Sequence, residues 1–121
     1  MFIQAVAVVV LALAAPVALS QEAYPGRPVK IVVPYPPGGA TDVTARIFGQ
    51  GLGDLLGQQF IIDNKPGGGT NIAAAFVARS APDGYTLYLA SFASHGVNKW
   101  LYKTLQYDPD KDFAAAAMMV R

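Results

Sequence analysis

The chain has 121 residues and no cysteine. Disulfides, cysteine zinc sites, cysteine nucleophiles and lipid attachment through an N-terminal cysteine are therefore excluded. Histidine is nearly as scarce. His95 is the only one, so a histidine-rich metal site cannot be built within one chain. Charge of either sign is thin: nine Lys plus Arg face eight Asp plus Glu, a formal +1. That near-balance excludes the strong basic field of an obligate nucleic-acid binder. At this length one small domain, or a piece of a larger one, is the ceiling.

What is present begins with an apolar run. From Met1 to Leu19 only Gln4 and Pro16 interrupt it, and the first charged residue is Glu22. The run is just long enough for a membrane span. Pro16 near its end and the small residues Ala18 and Ser20, spaced like the −3 and −1 positions of a signal-peptidase site, favour a secretory signal peptide over residues 1–20. The mature piece then starts at or near Gln21. No Lys or Arg precedes the apolar core, so an uncleaved anchor and a buried helix stay open as alternatives.

Beyond Glu22 the pattern alternates. Val29–Pro34 is β-branched and ends at a proline, a strand signal. Tyr35–Ala40 is a breaker cluster, after which Thr41 and Asp42 are suited to cap a helix reaching Leu56. Val43, Ile47 and Leu55 recur on one face of that helix, and Asp42 and Arg46 form an i, i+4 pair. Gly49, Gly51 and Gly53 each cost roughly 1 kcal/mol against Ala in a helix interior, so its second half is expected to be weak. Gln59–Asp63 reads as a second strand, Asn64–Gly69 as a second glycine loop and Thr70–Ser80 as a second helix. Ala81–Gly84 turns into a third strand, Tyr85–Phe92. His95–Tyr102 reads as a short helix, Gln106–Asp112 as a loop and Phe113–Val120 as a candidate fourth strand. The β-α-β-α-β order defines an α/β fold with a parallel sheet and right-handed crossovers.

Both glycine loops follow a strand and precede a helix. In a parallel sheet such turns lie along the carboxyl edge, where ligands bind. A helix start offers unpaired N–H groups and the positive end of a dipole, which suits an anion. Glycine lets a ligand approach the backbone with no Cβ in the way. The bland alternative is that Gly38, Gly39 and Gly67–Gly69 only make tight turns.

Nucleotide chemistry finds no support. Neither loop ends in Gly-Lys-Ser/Thr, and Ile72 stands where a dinucleotide fingerprint needs Gly or Ala. Ser91 or Ser94 with His95 and a distant Asp could be drawn as a hydrolase triad, yet no Gly-x-Ser-x-Gly elbow exists. His95 reads instead as a surface or cleft-lining polar residue. Asp42, Asp63 and Asn64 flank the loops. Asp42 serves as a helix-start carboxylate, or else holds a water or faces a ligand amine. Trp100, Tyr102 and Tyr107 read as packing residues before ligand stackers.

Three segments then carry a resemblance. YPGRPVKIVVPYPPGGATDVTAR, DNKPGGGTNIAAAFVARSAPDGYTL and LYKTLQYDPDKDF occur in that order. They resemble the extracytoplasmic solute receptors of tripartite tricarboxylate transporters, the Bug receptor family, across roughly Tyr24 to Val120. The resemblance implies a periplasmic, monomeric, two-lobed clamshell of type II-like form, without catalytic activity or cofactor. Such a receptor takes a small carboxylate between its lobes and delivers it to a membrane permease. Residues 21–121 are then an incomplete first lobe, truncated and impaired. The resemblance places Tyr35, Pro37, Gly38, Gly39, Thr41 and Asp42, together with Gly67, Gly68, Gly69, Thr70 and Asn71, along the cleft. There they meet the ligand through backbone N–H groups and water. Ser91, Ser94, His95 and Asn98 face the same cleft. Thr70 and Ala73 stand where the pattern usually has glycine, Lys99 and Trp100 replace a Pro-small pair, and the Ala114–Met119 run is also off-pattern. Two other readings remain: a module acting through protein contacts with a permease or sensor, and a phosphate-binding α/β enzyme.

Overall fold

The computed structural model describes residues 21–119. The signal-peptide reading of residues 1–20 lies outside the described residues. Three strands form one sheet in the order β2-β1-β3: β1 is Val29–Val33, β2 is Phe60–Asn64 and β3 is Thr86–Tyr88. Both pairings are parallel, with Val29 opposite Phe60 and Lys30 opposite Thr86. The expected strand–helix alternation is therefore realised, and the loops after all three strands share the carboxyl edge. β1 is central and covered on both faces, which is why it reads as an almost unbroken apolar run.

Helix α1, Ala40–Leu56, lies on one face of the sheet and helix α2, Asn71–Ala78, on the other. The α1 side of the core joins Ile31, Val33 and Ala45 with Phe60, Ile62 and Leu87. The α2 side joins Ala74, Ala75 and Tyr107 with Tyr88, Leu105 and Phe113.

Several expectations are corrected. Helix α1 runs its full length despite its glycines and stops at Gly57, whose φ of 73° supplies a left-handed cap. The face it buries is not Val43, Ile47 and Leu55, which stay exposed, but Asp42, Ala45 and Gly49. Small residues win that face because the helix sits close on β2: a Cβ on Gly49 would already touch Ile62 and the Phe60 carbonyl at 3.4 Å. Neither Thr41 nor Asp42 caps the helix; the N-cap position is Gly39. Strand β3 is three residues long rather than eight, because the chain turns away after Leu89 N–H bonds the Val32 carbonyl. The helix predicted from His95 is a π-type turn, Ala93–Val97, followed by the short helix α3, Asn98–Leu101. Phe113 to Met119 joins no ladder. Phe113 is held by aromatic contacts to Tyr88, His95 and Tyr107 instead.

Candidate functional site

The site is built from the three loops that leave the carboxyl edge. The first, Tyr35–Gly39, ends in a helix whose N-terminus no side chain caps. Pro37, Gly38 and Gly39 are exposed, and Gly38 takes φ 90°, which a side chain would resist. Beneath them Asp42 is buried, although its helix carries it in the first turn. Its Oδ2 accepts from the Gly38 N–H and from Arg46 Nε, both at 2.9 Å, and its Oδ1 accepts from Asn64 Nδ2 at 2.9 Å. Asn64 Nδ2 also donates to the Tyr35 carbonyl at 3.0 Å. The Arg46 guanidinium, then the Gly38 amide and Asn64, hold the Asp42 carboxyl far below the usual carboxylate range. Its charge is thus neutralised inside the protein, and little of it opposes an anion at the loop.

The second loop is Lys65–Thr70. Gly67, Gly68 and Gly69 all have positive φ and are exposed. A Cβ on Gly69 would meet the Tyr102 hydroxyl and force that half-exposed side chain to shift. Thr70 also has φ 77°, an outlier for a β-branched residue. It occupies the N-cap position of α2 with no side-chain capping bond. A single 3₁₀ turn, Gly68–Thr70, leads into the helix and bonds the Thr70 and Asn71 N–H groups to the Gly67 and Gly68 carbonyls, leaving the next N–H groups of the first turn uncapped by any side chain. Thr70 is buried. Its neighbour Asn71 is half-buried; Asn71 Oδ1 accepts from Asn98 Nδ2 at 2.7 Å and lies 3.0 Å from the Tyr107 hydroxyl.

The third loop bears Ser91, Ser94 and His95. Ser94 is fully buried, and its Oγ lies 2.9 Å from His95 Nδ1 and 3.1 Å from the Ser91 carbonyl and amide. Burial among Tyr88 and Phe113 lowers the His95 pKa, opposed by the charge of Asp110. The imidazole is therefore neutral at neutral pH. Tyr88 Oη is buried with no hydrogen-bond partner among the described residues, and desolvation pushes its pKa up to about 12.

The expected residues therefore come together at one edge but in two layers. Pro37, Gly38, Gly39 and Gly67–Gly69 are exposed, with Tyr35, Thr41, Asn71, Ser91 and His95 partly so; Asp42, Thr70 and Ser94 lie buried beneath. Tyr107, read from sequence as a packing residue, has a polar function as well. Its hydroxyl lies 2.8 Å from the Ser94 carbonyl and 3.0 Å from Asn71 Oδ1, joining the second and third loops. Asn64 and Asn98 similarly cross between elements. A buried tyrosine hydroxyl usually takes a partner, but nothing in the local sequence shows which one. No group of three or more metal-ligating side chains occurs among the described residues, and no helix among them is long and apolar enough to cross a membrane.

Loops with uncapped helix starts at the carboxyl edge of a parallel sheet are an arrangement suited to binding a ligand. Residues 44–121 match the family described as Tripartite tricarboxylate transporter family receptor, and the chain belongs to that family. Protein BugT of Bordetella pertussis is 41% identical over 108 residues, which cover 88% of this chain and 32% of that one. MatC from Rhodopseudomonas palustris, solved with bound malate, is 43% identical with a TM-score of 0.71, covering 74% of this chain and 31% of that one. A second R. palustris protein, solved with adipate, is 42% identical with a TM-score of 0.69, over 72% of this chain and 29% of that one. The chain spans about a third of the length of these relatives. The expected fold class, a partial parallel-sheet lobe of a periplasmic binding protein, accords with this likeness.

Proposed function

We propose that this chain forms the carboxylate-facing part of the first lobe of a periplasmic, non-catalytic solute receptor, which passes its ligand to a tripartite tricarboxylate-type permease. The observation that carries this reading is the pair of helix starts at one sheet edge. Neither is capped by a side chain, both follow an exposed glycine loop with positive φ at Gly38 or at Gly67–Gly69, and the one buried carboxylate beside them among the described residues is already paired. Open N–H groups arranged in this way suit an anion. Relatives solved with malate and adipate support a small carboxylate over a phosphate.

In this reading Tyr35, Pro37, Gly38, Gly39, Thr41, Gly67, Gly68, Gly69, Asn71, Ser91 and His95 line the cleft. Asp42, Thr70 and Ser94 act beneath them. Residues 1–20 are the export signal, and the receptor works as a monomer.

The 121 residues alone should bind weakly. Micromolar affinity requires about 8 kcal/mol, while lost ligand freedom opposes binding by roughly 4 kcal/mol or more. One open wall leaves water to screen each hydrogen bond. Calorimetry and thermal shift against malate, adipate, citrate, glutamate, inorganic phosphate and nucleotides test the proposal. Carboxylate responses at millimolar concentration, with none from nucleotides, are expected. Preference for phosphate or nucleotide would overturn the carboxylate reading, and low-micromolar carboxylate binding would overturn the need for a second wall.

A further inference from the structure

We propose that Asn98 fixes the orientation of the Asn71 side chain, so that Asn71 presents its amide hydrogens, rather than its carbonyl oxygen, to the ligand. This rests on the carboxylate reading above and names a specificity determinant within that site.

The argument starts from a group with only one possible role. The Gly69 carbonyl can only accept, and Asn98 Nδ2 lies 2.7 Å from it. Asn98 is buried, so its amide is held in this orientation by the cost of placing its own oxygen against another oxygen. The second hydrogen of Asn98 Nδ2 then points to the atom of Asn71 that is 2.7 Å away. That atom has to be an acceptor, which identifies it as Asn71 Oδ1. The Tyr107 hydroxyl lies 3.0 Å from the same oxygen, but its single hydrogen goes to the nearer Ser94 carbonyl at 2.8 Å, so the orientation of Asn71 rests on Asn98.

With its oxygen turned inward, Asn71 directs Nδ2 the other way. No protein acceptor is bonded to that nitrogen among the described residues, and it is not among the buried atoms left without a partner. Asn71 is the first residue of α2, separated from the three exposed glycines by Thr70. Its two free hydrogens thus stand beside the open N–H groups of the same helix start and add to their preference for an anion. A flipped Asn71 would present a carbonyl oxygen there and favour an amine or hydroxyl donor. The choice between the two is made by Asn98, one contact further from the cleft. Asn98 is therefore a positioning residue.

The test reads the side-chain amides directly by NMR on the 121-residue chain, with sodium malate as the carboxylate probe and sodium chloride as the control. The Asn98 side-chain amide should exchange slowly with solvent and be indifferent to malate. The Asn71 amide should exchange quickly without ligand and shift on adding malate. Asn71→Asp keeps an inward oxygen for Asn98 while replacing the outward donors by an acceptor. This variant should retain the wild-type fold and raise the malate concentration for half-response roughly 10-fold or more. Asn71→Asp also adds charge, so the wild-type amide shift is the deciding arm. If malate moves the backbone amides of Gly67–Gly69 but leaves the Asn71 side chain still, this inference is wrong and the carboxylate reading stands. If malate moves neither, the carboxylate reading itself fails. A fast-exchanging Asn98 amide would overturn the orientation argument irrespective of ligand.

Discussion

Asn64 Nδ2 donates to Asp42 Oδ1 at 2.9 Å, joining the end of β2 to the first turn of α1 across 22 residues of sequence. Because Asp42 also accepts from the Gly38 amide and Asn64 also donates to the Tyr35 carbonyl, both ends of the first loop are tied to one carboxylate. The loop is thus held from below while its upper surface stays open.

Acid should release that hold. The Asp42 pKa lies well below its ordinary 3.8 in the folded chain. The unfolded chain therefore takes up this proton first as pH falls, and the stabilisation, complete above about pH 5, declines from there towards the folded value. Asp42→Asn should lower stability at pH 7 and flatten this part of the profile. Urea unfolding between pH 2 and 7 checks both effects. An Asp42→Asn chain with the wild-type acid slope would show that another carboxylate sets it.

Histidine gives a second pH signature of the same sign at a higher window. The His95 pKa is depressed below 6.5 by burial. Between the folded value and 6.5 the unfolded state carries more protons, so stability rises with pH through that interval. His95→Gln should remove the rise. An NMR titration of the imidazole with an inflection above 6.5 would contradict it.

Thr70 carries backbone strain at φ 77° and is linked to Asn98 only by a long contact of 3.4 Å. A non-glycine residue in the left-handed region costs about 1–3 kcal/mol, against a smaller entropic cost of glycine in the unfolded chain. Thr70→Gly should therefore raise unfolding stability by roughly 1 kcal/mol. A loss of stability in denaturant titration would mean that the hydroxyl contact outweighs the strain.

Removing one oxygen tests the connection between the second and third loops. Tyr107→Phe keeps the packing against Ala74, Ala75 and Phe113 but deletes the hydroxyl shared by Ser94 and Asn71. The expected cost is about 1–3 kcal/mol. Amide hydrogen exchange should accelerate at Gly69–Asn71 and Ser94 together. Acceleration at only one loop would show that the two are not coupled through this group.

Much of this was legible in the sequence where the signal is local. The β-branched run at Val29–Val33, the breaker clusters and the order of elements give the sheet and its edge. Glycines at 38 and 67–69 mark the turns because their backbone geometry requires them. Packing decided the remainder. Val43, Ile47 and Leu55 have helical spacing, yet the sheet lies so close at Gly49 that the small face turns inward. Asp42 looks like a helix cap by type and position, and its partner Asn64 is set by a fold contact. Asn98 and Tyr107 reach Asn71 across 27 and 36 residues. Such links depend on where α3 and the following loop come to rest, which composition and periodicity do not encode.

The claim that a carboxylate is met by these loops is tested most directly by mapping backbone amide shifts in the 121-residue chain during a malate titration, with sodium chloride as control. Shifts should concentrate at Gly38–Ala40, Gly67–Asn71 and Ser91–His95, saturate in the millimolar range and be absent with chloride. Shifts centred elsewhere, for example along α1 and β2 between Gly49 and Ile62, would contradict the assignment of the site to the carboxyl edge.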